Sequence, residues 1–253
     1  MIFVEKFKSM FVFEKFSKLR DPIDFANSKY FGLAFGKNKI AHGMLLHSKA
    51  PIHISLTSMT DRKEGKQAVQ LFKNVLGFMG DRRYSSTAPE TLAIELLHAC
   101  VAGSMELKDE ILCQVMKQLQ QNPDPESSAK GWKLMALLVA TISPSEAIEN
   151  FLVVFLKNHG AGKGKAWISE LHRTQHERAI TSNDDVMSQG EIRQFLKGFQ
   201  ATTSRRTRFS FVDRGSLVNV QNKFKEQQIK RASSSAPSND LSKTTSYVRK
   251  ARQ

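Results

Sequence analysis

An all-α, compact helical bundle is the fold class the sequence predicts, and three observations predict it. Apolar residues recur at three- and four-residue intervals through residues 64–199, the segments that carry them are separated by short breaks bearing glycine or proline, and strand-like alternation is nearly absent before residue 208. The bundle is placed at residues 21–200, between an amphipathic basic lead at 1–20 and a basic, serine-rich, disordered tail at 201–253.

The elements follow in order. Gly65 to Phe78 places Ala68, Leu71, Phe72, Val75 and Phe78 on one stripe that stops at Gly80. Thr87-Ala-Pro-Glu90 has the form of a capping box, opening a helix through Leu92, Leu96, Leu97 and Val101 that Gly103 closes. A third helix runs from about Leu107 to Gln121, where Asn122-Pro-Asp-Pro125 must end it. A fourth, from about Ser128 to Thr141, is apolar on most sides and belongs at the centre of the bundle. Ser143-Pro-Ser-Glu146 reads as a second capping box with Pro144 at the first helical position, leading to a stop at Gly160. Shorter helices are expected over about Ala166–Glu177 and, after Ser188-Gln-Gly-Glu191, over Ile192–Phe199.

Charge divides the chain differently. The 253 residues carry 38 Lys+Arg and 24 Asp+Glu, a formal net charge of +14. Residues 1–50 hold +5 of this and residues 201–253 hold +9, so the middle is close to neutral. No run approaches the roughly 20 apolar residues that span a bilayer, and two cysteines exclude a disulfide-stapled scaffold and point to a reducing, cytoplasmic compartment. In the lead, Ile2, Phe3, Phe7, Met10, Phe11 and Phe16 alternate with Lys6, Lys8, Lys15, Lys18 and Arg20. Glu5 and Glu14 argue against a mitochondrial presequence, and the interrupting charges against a secretory signal. The expectation is a helix that docks its phenylalanine face on the body, with membrane-surface contact as the alternative.

No convincing active site, cofactor site or metal site assembles. Gly160-Ala-Gly-Lys-Gly164-Lys165-Ala166 has the wrong glycine spacing for a phosphate loop and an alanine at the magnesium-binding hydroxyl position. His172 and His176 lie four apart, but Arg173 stands among them where a zinc hydrolase needs glutamate. Cys100 and Cys113 fall inside apolar stripes, as buried free thiols do. Asp109-Glu110 could form an acid–base pair, although acids near a helix start more often complement its dipole. The chain is expected not to be an enzyme.

The run Leu107-Lys-Asp109-Glu110-Ile-Leu-Cys113-Gln114-Val-Met-Lys-Gln-Leu119, followed by Asn122-Pro, Lys130-Gly131-Trp132 and Ser143-Pro144-Ser145, resembles the MyTH4 domain of myosin and plant-type kinesin tails. Upstream, Pro51-Ile-His-Ile-Ser-Leu56 and Phe78-Met79-Gly80-Asp81 are similar to that family's P-I-x-x-S-L and Y-M-G-D, and Leu171-His-Arg-Thr174 and Glu191-Ile192 resemble its closing helices. The likeness covers about residues 25–200. Leu112 departs from the usual tyrosine, Lys130 from arginine, and Ile142-Ser143 from Phe-Pro. The resemblance implies a helical, non-catalytic interaction module associated with the cytoskeleton, whose motif residues are mainly structural and which commonly precedes a FERM domain. Arg208-Phe-Ser-Phe-Val212, Asp213-Arg-Gly215 and Ser216-Leu-Val-Asn-Val220 read as a strand, turn and strand like the opening of a FERM lobe, with 33 residues after them, too few for a complete one.

Function is therefore expected to lie in binding a tubulin or microtubule surface, or a cargo or adaptor protein. Lys37, Lys39, Lys49, Lys163, Lys165, Arg173, Arg205, Arg206 and Arg208 are the candidate contacts for an acidic partner. The alternative is nucleic-acid or anionic-membrane binding through the basic flanks; with no zinc module or recognition helix, specific nucleic-acid reading is not expected. Lys230-Arg-Ala-Ser233 offers a candidate phosphosite, where a phosphate would erode the tail's positive field.

Overall fold

The computed structural model describes residues 10–28, 36–83, 87–160, 163–176, 180 and 182–201. Among the described residues there are nine α-helices: α1 (Pro22–Asn27), α2 (Lys37–His42), α3 (Arg62–Met79), α4 (Pro89–Ala102), α5 (Met105–Leu119), α6 (Pro125–Val139), α7 (Glu146–His159), α8 (Gly164–His176) and α9 (Gln189–Ala201). They include no strand, only an isolated antiparallel bridge between Leu19 and Thr57. None of these helices is long and apolar enough to cross a membrane. Met1–Ser9, the 208–220 hairpin and Ser233 lie outside the described residues.

The helices predicted between residues 64 and 199 are all present, and their ends correct several expectations. α3 begins three residues before its predicted start, because Asp61 caps it: its Oδ1 accepts the Lys63 amide at 2.7 Å. It ends where expected, at Gly80, whose φ of +84° needs glycine. The capping box expected at Thr87 does not form. Pro89 takes the first helical position of α4, so the cap falls on Ala88 without a side-chain bond, and Glu90 instead pairs with Arg193 Nε of α9 at 3.2 Å. The box expected at Ser143 also fails. α7 starts only at Glu146, with Ser145 as its cap residue and Pro144 outside the helix. By contrast, Ser188 and Glu191 do form a reciprocal box at the start of α9: the Ser188 amide donates to Glu191 Oε2 at 2.8 Å, and the Glu191 amide to Ser188 Oγ at 3.4 Å.

α5 begins at Met105, capped by Ser104, and α6 begins at Pro125, because Asp124 accepts the amides of Glu126 and Ser127. The Asn-Pro-Asp-Pro segment thus ends one helix and starts the next. The helix expected at the centre, now α6, is not the most enclosed one. That place belongs to α5, in which every residue from Asp109 to Leu119 is buried against α3, α4, α6 and α7, polar side chains included. α6 buries Leu134–Val139 but leaves Trp132 half-buried, with its ring stacked on Trp167 of α8 at 4.7 Å.

The described part of the lead docks through Phe11, Phe13 and Phe16, but residues 10–20 hold only a 3-10 turn at Phe13–Lys15 where a helix was expected. Phe11 and Phe16 meet Phe151 at 5.2 and 5.3 Å between ring centroids, and Phe13 meets Phe155 at 6.3 Å. Backbone bonds finish the attachment: the Arg20 amide donates to Leu56 O, and the Ser58 amide to Lys18 O, each at 2.8 Å.

α7 and α8 cross at a point that admits no side chain. A Cβ on Gly164 would lie 2.4 Å from the Leu156 carbonyl oxygen and 3.1 Å from Lys157 Cα, both backbone atoms that cannot swing aside. Gly164→Ala is accordingly expected to lower stability by about 1–3 kcal/mol, read as a shift in the urea midpoint. A wild-type midpoint would refute the close crossing.

Candidate partner-binding surface

Of the motif residues, Met79, Asp109, Glu110, Cys113, Gln114, Gly131 and Pro144 are buried, Asp81, Trp132 and Ser145 half-buried and Gly80 exposed, and their polar side chains hold loops or helix ends. Glu110, fully buried, accepts four hydrogen bonds: from the amides of Leu56 (2.9 Å) and Thr57 (2.7 Å), the Thr57 hydroxyl (2.7 Å) and Gln114 Nε2 (2.9 Å). Gln114 also donates to the Ala68 carbonyl of α3 at 3.0 Å. Asp109, predicted to complement its own helix dipole, instead accepts the amide and hydroxyl of Ser145 at 3.0 and 2.5 Å, and so caps α7 from a neighbouring helix. Burial pushes both carboxyls above their usual range, and the hydrogen bonds they accept pull against it.

Asp81, just past the end of α3, gathers a second network. Its Oδ2 lies 3.1 Å from His47 Nε2 and accepts from Ser127 Oγ at 3.0 Å and Gln118 Nε2 at 3.3 Å, while Gln118 also bonds both the Ser48 amide and the Ser48 carbonyl. Gly131 lets α6 approach Met79 and Leu119, whose side-chain ends lie 2.7 and 2.9 Å from where a Cβ would stand. Cys100 and Cys113 are buried free thiols whose pKa burial raises, Cys100 to about 12. His172 and His176 are both exposed, and the described residues contain no group of three or more metal-ligating side chains.

The basic candidates lie outside this interior, on separate stretches. Lys37 and Lys39 belong to α2, Lys49 to the loop after it, and Lys163, Lys165 and Arg173 to α8 and its approach. Lys49 reaches Asp124 at 3.9 Å and Arg173 pairs with Glu170. The ammonium groups of Lys37, Lys39 and Lys165 have no hydrogen bond or ion pair among the described residues. Arg205, Arg206 and Arg208 fall outside the described residues. Two groups escaped the sequence reading although both stand in the quoted motif run: Lys117, buried without a carboxylate partner, and Gln118, which ties the 48 loop to α5. A lysine inside an otherwise apolar stripe was the available signal.

Residues 93–210 match the family model of the MyTH4 domain. The high molecular weight form of myosin-1 of Acanthamoeba castellanii is 41% identical over 214 residues, 85% of this chain and 13% of that protein. Human unconventional myosin-XVB is 34% identical over 168 residues, 66% of this chain and 5% of that protein. The chain therefore spans only a small part, 13% or less, of these relatives. Among solved structures, the MyTH4-FERM MF1 domain of Dictyostelium discoideum myosin VII superposes with a TM-score of 0.55 at 21% identity, covering 77% of this chain and 38% of that one. The MF2 domain of the same myosin gives 0.54 at 24%, covering 64% and 34%. At these identities the structural likeness speaks for the fold. Taken with the ordered motifs and the all-helical architecture, these matches make the chain a MyTH4-domain protein of the myosin-tail kind.

Proposed function

We propose that the chain is a non-catalytic, cytoskeleton-associated binding module, and that its exposed basic side chains hold an acidic protein surface, tubulin in the first instance or else a cargo or adaptor. The observation that carries the reading is the division of its polar groups. Asp81, Asp109, Glu110, Gln114 and Gln118 are engaged inside the bundle, whereas the ammonium groups of Lys37, Lys39 and Lys165 have no protein partner among the described residues. Attraction of this kind is long-ranged and weakens with salt.

Co-sedimentation with microtubules tests it. The protein is expected to pellet at about 50 mM salt and several-fold less at about 150 mM, and K37E/K39E/K165E should weaken pelleting further. No pelleting at either salt removes the tubulin reading. The second reading, nucleic acid or anionic membrane, draws on the +9 charge of residues 201–253. Under it, deleting those residues abolishes binding to oligonucleotides or anionic vesicles while thermal unfolding of the remainder is unchanged.

A further inference from the structure

An open groove of about 740 Å³ runs along the first turns of α3, between that helix and the 53–59 segment. Its volume lies in the usual range for ligand sites, roughly 300–1,000 Å³. The floor is apolar, formed by Ile54, Met59 and Val69, and the cations Arg20, Arg62 and Lys66 line it. Arg20 is held in place by Ser55, its Nε donating to the carbonyl at 3.0 Å and its Nη2 to the hydroxyl at 3.2 Å, which leaves Nη1 with no partner among the described residues. Arg62 and Lys66 are exposed and have no ion pair there either.

The acids nearby accept hydrogen bonds from neutral donors of this chain, and the one carboxylate in the lining is outnumbered there by three cations, which leaves the groove an excess of positive charge. Asp61, the one carboxylate in the lining, caps α3 through the Lys63 amide. Glu64 accepts from the Ser104 amide and hydroxyl, and Glu106 from the Thr60 amide and hydroxyl. A second observation points the same way. Gly65 stands in the wall of the groove at an ordinary helical position, where a Cβ would meet no atom within 4 Å. Glycine is a poor helix residue, and no packing among the described residues asks for one there. It leaves the helix backbone open to close approach from the groove.

We infer that this groove is a binding site for a short acidic peptide segment of a partner protein, whose carboxylates meet Arg20, Arg62 and Lys66 while an apolar side chain rests on Met59 and Val69. The occupant's being a protein rests on the interaction-module reading above, but the groove shares no residue with the Lys37, Lys39 and Lys165 set. Arg20 supplies a planar fork suited to a carboxylate, and the apolar floor distinguishes a peptide with a mixed sequence from a purely charged polymer.

The test uses the full chain and fluorescent nine-residue peptides carrying a photoreactive group: one alternating glutamate and leucine, one of glutamate alone, and a ten-nucleotide oligothymidine as the competing class. At about 150 mM salt the Glu–Leu peptide is expected to bind more tightly than the all-Glu peptide and to cross-link within residues 53–70. R62E/K66E should weaken it about tenfold, and so should Gly65→Phe, which fills the groove while leaving thermal unfolding at or above the wild-type value. K37E/K39E/K165E should leave peptide binding unchanged, so loss of microtubule pelleting and loss of the groove are read separately. Cross-links confined to residues 201–253, wild-type affinity in R62E/K66E, or preferential binding of the oligothymidine lost in the same variant would each overturn the assignment.

Discussion

Replacing Glu110 with alanine is expected to destabilise the domain by about 3–5 kcal/mol, because it leaves several buried neutral donors without an acceptor at about 1–3 kcal/mol each, part of which local rearrangement recovers. The carboxylate is the shared acceptor for two backbone amides, one hydroxyl and one side-chain amide, and all of these donors lie in the interior. Alanine leaves Leu56 and Thr57, both buried, with amides that have lost their acceptor. The consequence reaches beyond α5. The 50–60 segment has no helix or strand of its own, and Glu110 is one of the groups that fix its path, together with the Arg20–Leu56 and Ser58–Lys18 backbone bonds. Because the groove floor and the Ser55 anchor of Arg20 belong to that segment, the variant should also lose peptide binding there. Glu110→Gln keeps the shape and one acceptor oxygen but turns an amide group toward the remaining donors, so a smaller loss of about 1–2 kcal/mol is expected. Urea unfolding followed by circular dichroism measures both. A loss below about 1 kcal/mol for the alanine variant would show that the four bonds contribute little.

How far the sequence discloses this arrangement depends on the distance over which each interaction acts. Helix existence and type are written in three- and four-residue spacings, and every stripe predicted between residues 64 and 199 became a helix, whereas the phenylalanine-rich lead did not. Caps are less legible where two local signals compete. At Thr87 and at Ser143 a capping-box pattern contains a proline, and in neither case does the box form: α4 takes Pro89 as its first residue, and α7 starts after Pro144 altogether. Asp109 and Glu110 are misread because a pair of acids near a helix start looks like a dipole complement. Their real partners stand 36 residues later at Ser145 and more than 50 residues earlier at Leu56 and Thr57. The same limit hides the groove, whose cations at 20, 62 and 66 are brought together only when the lead pairs with the 56–58 backbone. Ordered family motifs identified the domain from the same residues without disclosing what each one holds.

Lys117 supplies the other large effect, and its sign depends on pH. The side chain is buried, with Nζ donating to the Leu46 carbonyl and to Gln118 Oε1 at 3.4 Å, and with the Phe72 ring centroid 5.8 Å away. None of these partners carries a formal negative charge, and burial brings the ammonium down from the usual 10.5 to about 8. Above pH 8 the unfolded chain holds a proton at this position that the folded chain releases, so stability from this group grows as pH rises toward 10.5 and is absent below 8. At about 1.36 kcal/mol per pKa unit, the gain by pH 10 is about 2–3 kcal/mol. Lys117→Met removes the titrating group while keeping an unbranched apolar stem. It also leaves the Leu46 carbonyl without that donor, a cost that does not change with pH. The raised thiols of Cys100 and Cys113 act in the opposite sense, since their contribution is present below pH 9 and declines as pH rises through their folded values, but they are common to both proteins and cancel in the difference. Urea unfolding of wild type and variant at pH 7.5, 8.5, 9.5 and 10 is therefore expected to show wild type gaining on K117M by about 2 kcal/mol or more across the series. A difference constant to within about 0.5 kcal/mol would mean that Lys117 keeps its proton in the folded state throughout this range, and that the contacts with Leu46, Gln118 and Phe72 hold a charged lysine in the core.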